Sequence, residues 1–243
     1  MDIIQTPIRL TWPVLAIALL AMTTLAFAQS GEVIAFGGGS AGVKNACSGC
    51  HGLKGEGDNI LVPRLAGLDQ GYLRKQLDDY GSGRRRHAVM TKTAQRLDPD
   101  DRASVARYYS ELAIPTDASS SPEVPFNVLF QQGDAARGLR ACSGCHGKNG
   151  EGIGAANPAL ATQPAPYIAA QLQSWKRGDR QNDPLRVMLL LSQSLTDAEI
   201  EKLAAYASAL PGNRHQPTQA TFPPARRADP RSDASVQLPY ELE

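Results

Sequence analysis

The feature that most constrains this chain is a pentapeptide, Cys-Ser-Gly-Cys-His, that occurs at residues 47–51 and again at residues 142–146. Two cysteines at this spacing share one helical turn, so their thiols can each form a thioether with one vinyl group of the same porphyrin. The histidine that follows can then supply the proximal nitrogen to the iron. The motifs therefore predict two covalently attached c-type haems. The attachment residues and proximal ligands are Cys47, Cys50, Cys142, Cys145, His51 and His146.

Other chemistries also use closely spaced cysteines, namely a redox dithiol, a zinc site and a structural disulfide. The chain has only 4 cysteines, and all of them lie in the two motifs, with a histidine directly after each pair. This arrangement favours haem attachment. Zinc bound by the four thiolates is the main alternative that remains.

Length and composition suggest one or two small domains without an extensive core of their own. The chain has 243 residues, a formal net charge of +1 and 6% aromatic residues. A near-neutral charge gives no indication of nucleic-acid binding. Small domains bury too little apolar surface to be very stable alone, so one buried haem in each would compensate for a sparse core.

The N-terminus has the pattern of a secretory signal. Arg9 precedes an apolar run from Val14 to Phe27, and Ala26-Phe27-Ala28 is a small-residue cleavage site, which predicts a signal peptide over residues 1–28 that is removed after Ala28. The alternative is an uncleaved anchor, but the run is short for a span, which needs about 20 residues. In both cases the body of the protein is exported.

An internal repeat organises the rest of the chain. At an offset of 95 residues, Gly55-Glu56-Gly57 matches residues 150–152, Pro63 matches Pro158, and Tyr72 matches Tyr167. After residue 180 the offset becomes 98. The repeat predicts two tandem all-α domains, each wrapped around a haem. The expected helices cover about 40–51, 69–80 and 98–112, and about 134–146, 165–176 and 196–210.

Composition sets the expected boundaries. We expect a flexible lead at 29–39, a first domain at 40–115, a linker at 116–130, a second domain at 131–211 and a disordered Pro-rich tail at 212–243. Asp98-Pro99 and the sequence Thr196-Asp197-Ala198-Glu199 predict the starts of the last helices of the two domains.

The sixth iron ligands are predicted from the methionines. Of the 4 methionines, two fall in the signal peptide, and the remaining Met90 and Met188 match each other at the offset of 98. A thioether is a soft, neutral ligand that raises the haem potential. We therefore expect the iron ligands to be His51 with Met90 and His146 with Met188. His87, which has no counterpart in the second half, is the competing ligand for the first iron.

The order of these motifs resembles that of class I cytochromes c, and two such modules behind a signal peptide resemble the periplasmic di-haem cytochromes of the c4 type. The resemblance covers residues 40–211. It implies that the carbonyl groups of Pro63 and Pro158 accept hydrogen bonds from the proximal histidines. The chain departs from the pattern in the run Arg84-Arg85-Arg86, in the longer linker and in the tail.

The resemblance implies a periplasmic electron carrier, not an enzyme. Such a protein transfers single electrons from a dehydrogenase or a quinol-oxidising complex, such as a quinol-cytochrome c reductase, to a terminal oxidase. It contacts no nucleic acid, and it contacts the membrane only through a partner or an uncleaved signal. A cytochrome subunit of a periplasmic dehydrogenase complex is the alternative. A peroxidase or a thiosulfate-oxidising cytochrome would need an open iron. The run of arginines at 84–86 is expected either to steer an acidic partner or to form a solvated loop.

Overall fold

The structure is a computed structural model that describes residues 29–114 and 127–212. The predicted signal peptide, most of the predicted linker and the tail beyond residue 212 lie outside the described residues. Within the described ranges the chain forms helices and 3-10 turns, and its β-pairing is limited to two isolated bridges, Asp134–Leu139 and Ile153–Asn157. The all-α prediction is therefore confirmed. None of the helices in these ranges combines the length and the apolar character needed to cross a bilayer.

The two halves have the same order of helices. The helices of the first half are α1 Gly31–Gly37, α2 Ser48–His51, α3 Gln70–Gly81, α4 Met90–Arg96 and α5 Pro99–Glu111. Those of the second half are α6 Asn127–Gln132, α7 Ser143–His146, α8 Ala165–Lys176, α9 Val187–Gln193 and α10 Asp197–Ala209. Short 3-10 turns at Gly39–Ala41, Val43–Asn45, Ala135–Arg137 and Pro184–Arg186 connect some of them.

The last helix of each half begins where the sequence predicts. The Asp98 side chain accepts a hydrogen bond from the backbone N–H of Asp101 at 2.8 Å, and proline occupies the first turn of α5. In α10, Thr196 and Glu199 form a reciprocal capping box, with N–H to oxygen distances of 3.2 and 2.8 Å. Such caps satisfy N–H groups that have no partner within the helix.

Each half packs its long helices around a small core. In the first half, α3 packs against α4 and α5, and α1 packs against α5; in the second half, α8 packs against α9 and α10. The first core contains Ile34, Ala35, Leu68, Leu73, Leu97, Val105, Ala106 and Tyr109. The second contains Phe130, Leu139, Ile168, Leu195, Ile200, Leu203, Tyr206 and Leu210.

The structure differs from the prediction at the lead segment. Residues 29–39, predicted to be flexible, contain helix α1, which is capped by the Ser30 side chain at 3.3 Å from Val33 N. Ile34 and Ala35 are 0% exposed against α5. Gly38, with a φ of 80°, ends the helix by donating its N–H to the Ile34 carbonyl at 2.7 Å. Glycine therefore serves here as a helix stop, because it tolerates the left-handed conformation without strain.

The helices expected over about 40–51 and about 134–146 do not form as continuous helices. The segment from residue 40 to the first motif consists of two 3-10 turns separated by Gly42, whose φ is 79°. In the second half the segment from residue 134 contains one 3-10 turn before the short helix α7. Conversely, a helix that was not among those expected, α4, begins at Met90.

The two halves contact each other directly. The backbone N–H of Arg64 donates to the Gln163 side-chain oxygen at 3.1 Å, and the Gln163 amide donates back to the Arg64 carbonyl at 2.9 Å. The Arg64 guanidinium also donates to the Ala161 carbonyl at 3.1 Å. These bonds join the loops that follow the two Cys-Ser-Gly-Cys-His motifs.

Candidate haem sites

The two motifs have nearly the same geometry. In each, the first cysteine precedes a four-residue helix that ends at the histidine, and the histidine N–H donates to the carbonyl of that cysteine, at 2.9 Å for His51 and 2.8 Å for His146. The cysteines therefore share one helical turn, as attachment to a single porphyrin requires. The next residue is a glycine with a φ of 82° in both copies, which turns the chain away immediately after the histidine.

Both histidine rings are fixed by a proline carbonyl. His51 Nδ1 lies 2.9 Å from the Pro63 oxygen, and His146 Nδ1 lies 2.8 Å from the Pro158 oxygen. A carbonyl can only accept, so Nδ1 carries the proton and Nε2 keeps its lone pair for a metal. Burial lowers the pKa of both histidines, which favours the neutral form that ligates iron. The proline contacts that the resemblance implied are confirmed.

A cavity of about 640 Å³ opens between these histidines and the long helices. Protein interiors contain few voids larger than a water molecule, so a space of this size implies an occupant. Its walls are largely apolar and come from both halves. Among the lining residues are the four cysteines, His51, His146, Met90, Met188, Leu73, Val105, Ile168 and Leu203.

The cysteines fit thioether attachment better than binding of zinc by thiolates. Burial raises the pKa of Cys47 and of Cys142 to about 11, so both sulfurs are protonated at neutral pH. A thioether is neutral and has no charge to bury. The described residues contain no group of three or more His, Cys, Asp or Glu side chains placed to hold a metal ion.

Both methionines line the cavity at the start of a helix. Met90 is the first residue of α4, and Met188 is the second residue of α9. In each case a side chain accepts a hydrogen bond from the methionine N–H. The acceptor is His87 Nδ1 for Met90, at 3.3 Å, and Asp183 Oδ2 for Met188, at 2.7 Å. These capping contacts were not predicted, because the two acceptors differ in type and in spacing.

His87 also lines the cavity, but its ring is oriented differently from those of the proximal histidines. Its Nδ1 accepts from the N–H groups of Val89 and Met90, each at 3.3 Å. Backbone N–H groups only donate, so Nδ1 is unprotonated and the neutral ring carries its proton on Nε2. His87 thus acts as a cap of the helix that begins at Met90.

The run of arginines is not a single exposed patch. Arg84 is 66% exposed and forms an ion pair with Asp79 at 2.9 Å, and Arg86 is exposed. Arg85, however, is only 5% exposed and points between the two halves. The expectation that all three arginines steer a partner or form a solvated loop is therefore wrong for Arg85. Its repeat equivalent, Arg180, is buried to the same extent.

Comparison with known proteins identifies the family. The family model for cytochrome c matches residues 38–113 and 130–210. The chain belongs to the cytochrome c family. Each matched segment contains one of the two Cys-Ser-Gly-Cys-His motifs, and the protein carries two covalently bound haem c groups.

Its relatives include carriers and a dehydrogenase. A thiosulfate dehydrogenase electron acceptor of Stutzerimonas stutzeri is 36% identical over 200 residues, covering 80% of this chain and 93% of that protein. The structure of cytochrome c4 from Pseudomonas stutzeri is 32% identical, with a TM-score of 0.62, and covers 68% of this chain and 93% of that one. A thiosulfate dehydrogenase structure from Marichromatium purpuratum is 39% identical, with a TM-score of 0.66. It covers 74% of this chain, which spans only 40% of that longer chain.

Proposed function

We propose that this protein is a periplasmic di-haem electron carrier that accepts electrons from a thiosulfate dehydrogenase and passes them on singly. The observation that carries this proposal is the similarity to a thiosulfate dehydrogenase electron acceptor along 93% of that relative's length. A second relative with the same description, from Thiomonas intermedia, is 37% identical over 174 residues. The likeness to cytochrome c4 supports the same class of carrier.

The proposed iron ligands are His51 with Met90 and His146 with Met188. The Nε2 lone pairs of the histidines support this assignment, as does the position of both methionines at helix starts on the cavity wall. The haem supplies one-electron iron chemistry. These four residues would leave neither iron open to a substrate, which favours a carrier over a catalyst.

The chain's own residues set the properties of each site. The proline carbonyls hold the imidazoles in one tautomer and raise their basicity. The apolar walls exclude water, and the thioether ligands favour the reduced iron. Both effects suit a carrier that must accept electrons readily.

The proposed export route begins with cleavage after Ala28. The body would then begin at Gln29, two residues before α1. The mass of the purified protein tests this directly, because it should equal residues 29–243 plus two haems. An intact Met1 would show an uncleaved anchor instead.

The decisive experiment mixes the oxidised protein with thiosulfate and a purified thiosulfate dehydrogenase and follows the reduced-haem absorbance. We expect both haems to become reduced, with one electron taken up by each iron. Thiosulfate alone should reduce neither haem at a comparable rate. If the protein consumes thiosulfate without the dehydrogenase, it is an enzyme; if the dehydrogenase does not reduce it, this donor is wrong.

The alternative role, as a subunit of a dehydrogenase complex, has one observation in its favour. The match to the thiosulfate dehydrogenase structure lies within a chain much longer than this one. Gel filtration of the native protein with the dehydrogenase separates the two roles. A stable complex at micromolar concentration indicates a subunit, whereas elution as separate proteins indicates a diffusing carrier.

Variants test the ligands. Met90→Ala should remove the Met–iron charge-transfer band of the first haem. Met188→Ala should remove the corresponding band of the second haem. Each variant should leave the spectrum of the other haem unchanged. His87→Ala should retain the band, because the ring caps the helix and does not bind iron. Loss of the first haem's methionine signature in His87→Ala, together with its retention in Met90→Ala, would show that His87 is the ligand.

A further inference from the structure

One buried carboxylate lies between the segments that lead to the two methionines. Asp79, near the end of α3, is only 2% exposed. Its Oδ1 atom accepts a hydrogen bond from Arg84 Nε at 2.9 Å. Its Oδ2 atom accepts from Asn182 Nδ2 at 2.7 Å and from the ammonium group of Lys75. Residues from both halves of the chain therefore bind the same carboxylate.

Arg84 and Asn182 stand at the same distance along the chain from the methionines. Arg84 is the sixth residue before Met90, and Asn182 is the sixth residue before Met188. Asn182 belongs to the stretch in which the second repeat is three residues longer than the first. The two side chains differ in type, yet both donate to Asp79. Each methionine segment is therefore fixed to this carboxylate at a corresponding point.

The second half has a serine where the first half has the carboxylate. The residue 95 positions after Asp79 is Ser174, in α8, whose side chain is shorter and uncharged. The backbone contacts at this place are nevertheless repeated. The Asp79 carbonyl accepts from the Arg85 N–H at 2.9 Å. The Ser174 carbonyl accepts from the Arg180 N–H at 3.1 Å. The turn after the helix is thus common to both halves, whereas one carboxylate serves both methionine segments.

Asn182 is held by the first domain at three points. Besides its contact with Asp79, its side-chain amide donates to Gln76 Oε1 at 3.0 Å, and its backbone carbonyl accepts from Lys75 Nζ at 2.7 Å. Its Oδ1 atom accepts from Arg180 Nε at 2.9 Å, which fixes the orientation of the amide. Lys75, Gln76 and Asp79 share one face of α3, because residues three and four apart on a helix are neighbours. The second methionine segment is therefore anchored in the other domain.

Short turns connect these anchors to the methionines. Directly after Asn182, Asp183 accepts from the Met188 N–H at 2.7 Å. In the first half, His87 lies three residues after the anchor and accepts from the Met90 N–H at 3.3 Å. A displacement at either anchor therefore reaches the residue that caps the methionine within one to three positions along the chain.

Asp79 is ionised at neutral pH. Burial by itself would raise its pKa, but the hydrogen bonds from Lys75 and Asn182 and the charge of Lys75 hold the pKa below its ordinary value. Arg84 adds a second cation. Hydrogen bonds that involve ionised groups are about twice as strong as neutral ones. This carboxylate is therefore a firmer anchor than a hydroxyl or an amide would be at the same place.

We propose that Asp79 is a shared positioning residue, which holds the segments before Met90 and Met188 and so limits how often either methionine leaves its iron. The inference rests on the methionine ligands of the proposed function and is independent of the electron donor. It follows that one substitution in the first domain weakens the methionine ligation of both haems, whereas the loss of one anchoring partner weakens that of one haem.

The test is a titration of the oxidised holoprotein with imidazole, which binds only to an iron whose methionine has left. Met90→Ala and Met188→Ala assign the methionine–iron charge-transfer bands to the two haems. Asp79→Ala removes the common acceptor of two charged groups and of Asn182, and hydrogen bonds to charged groups are among the stronger ones in proteins. We expect the apparent imidazole affinity to rise about threefold or more at both haems.

Two partner variants separate the segments. Arg84→Ala should raise the imidazole affinity at the first haem alone, and Asn182→Ala should raise it at the second haem alone, because each removes one contact with Asp79. Asn182→Ala should have a smaller effect on the second haem when it is added to Asp79→Ala than in the parent protein, because the contact is already lost.

The matched control is Asp101→Ala, which removes another buried carboxylate of the first domain. Asp101 is 5% exposed and binds the lead segment, by accepting from the Ser40 N–H at 2.6 Å. Its loss should destabilise the first domain but leave the imidazole affinity of the second haem unchanged. A general loss of stability, in contrast, would make Asp101→Ala and Asp79→Ala alike at that haem.

Three results would overturn the proposal. A rise confined to the first haem in Asp79→Ala would show that the contact with Asn182 does not position Met188. Unchanged affinities at both haems, in a variant that retains both charge-transfer bands, would show that the carboxylate positions neither methionine. An equal effect of Asp101→Ala on the second haem would show loss of stability instead.

Failure of the proposed ligands would give a different result. The parent protein itself would then lack the charge-transfer bands, before any change at Asp79. If Asp79→Ala does not accumulate with two haems, Asp79→Asn replaces it, because the amide keeps the shape of the side chain but loses the charge. The same rise at both haems is expected there, and a rise at one haem or at neither would contradict the shared role.

Discussion

The contact between Asp183 and the helix that begins at Val187 gives a direct test of how Met188, the proposed ligand of the second haem, is held. Asp183 Oδ2 accepts from the N–H groups of Met188 at 2.7 Å and Leu189 at 3.4 Å. The turn between them contains Leu185 and Arg186, with φ values of 56° and 57°. Each left-handed residue other than glycine costs about 1–2 kcal/mol. The aspartate therefore closes a turn that the backbone alone disfavours.

The expected effect of Asp183→Ala follows from these contacts. Removal of a side-chain cap from a helix start costs about 0.5–2 kcal/mol, typically about 1 kcal/mol. About 1 kcal/mol corresponds to an approximately fivefold increase in the fraction of molecules whose Met188 is detached, and about 2 kcal/mol to an approximately thirtyfold increase. An added ligand binds only to the detached fraction, so its apparent affinity rises by the same factor.

The assay is a titration of the oxidised protein with imidazole, with the two haems distinguished by their charge-transfer bands. We expect Asp183→Ala to raise the apparent imidazole affinity of the second haem about fivefold or more, as calculated from the loss of the cap, and to leave the first haem unchanged. Asp183→Asn is the matched control, because its amide oxygen can still accept from Met188. An equal change at both haems, or no change in the alanine variant, would refute the reasoning.

Two further predictions concern stability. Ile34→Ala removes three fully buried carbon atoms from α1. We expect this change to lower the free energy of unfolding of the first domain by about 2–4 kcal/mol, as measured by urea titration. Val33→Ala, at a position 55% exposed on the same helix, is the control and should change it by less than about 0.5 kcal/mol. The Arg137 guanidinium and the Thr196 N–H lower the pKa of Glu199 from 4.5 to about 2. The ionised carboxylate therefore stabilises the second domain above about pH 4.5, and this contribution is lost as the pH falls towards 2. Glu199→Gln should therefore reduce stability at pH 7 and flatten the acid dependence in this window, and unchanged acid unfolding would contradict the assignment.

Sequence alone was sufficient wherever the determinants of structure are local. The cysteine spacing correctly indicated one helical turn at each motif. The motifs around Asp98 and Thr196 correctly indicated the starts of α5 and α10, because capping depends on residues only three positions apart. The repeat predicted two all-α domains for the same reason, since each copy carries its own local signals.

The prediction failed where the structure of a segment depends on residues that are distant in the sequence. Ile34 and its neighbours look like a short apolar stretch among glycines, and they become helical because α5 covers them. Short helices are rarely stable alone, so tertiary packing determines whether such a segment folds. Arg85 looked like part of a solvated charge run because its partners, Gln171 and Tyr167, lie more than 80 residues away in the sequence.

The repeat itself contains information about the domain boundary. Gln76 and Gln171 are equivalent in the two halves, as are Arg85 and Arg180, and all four meet between the domains. A polar residue that recurs at one repeat position, although it lies on an otherwise apolar cavity, is therefore a candidate for this interface. The pattern is more specific than a charge run, because it requires both copies to retain the same residue type.

A residue that has no counterpart of the same type in the other repeat can also lie at the boundary between the two halves. Arg64 has Ala159 as its repeat equivalent, and its guanidinium donates to the carbonyl of Ala66 and to that of Ala161, which are themselves equivalent. A side chain that contacts both members of an equivalent pair lies where the two halves face each other. One arginine and one alanine at equivalent positions therefore serve both loops, and the repeat is asymmetric at that place.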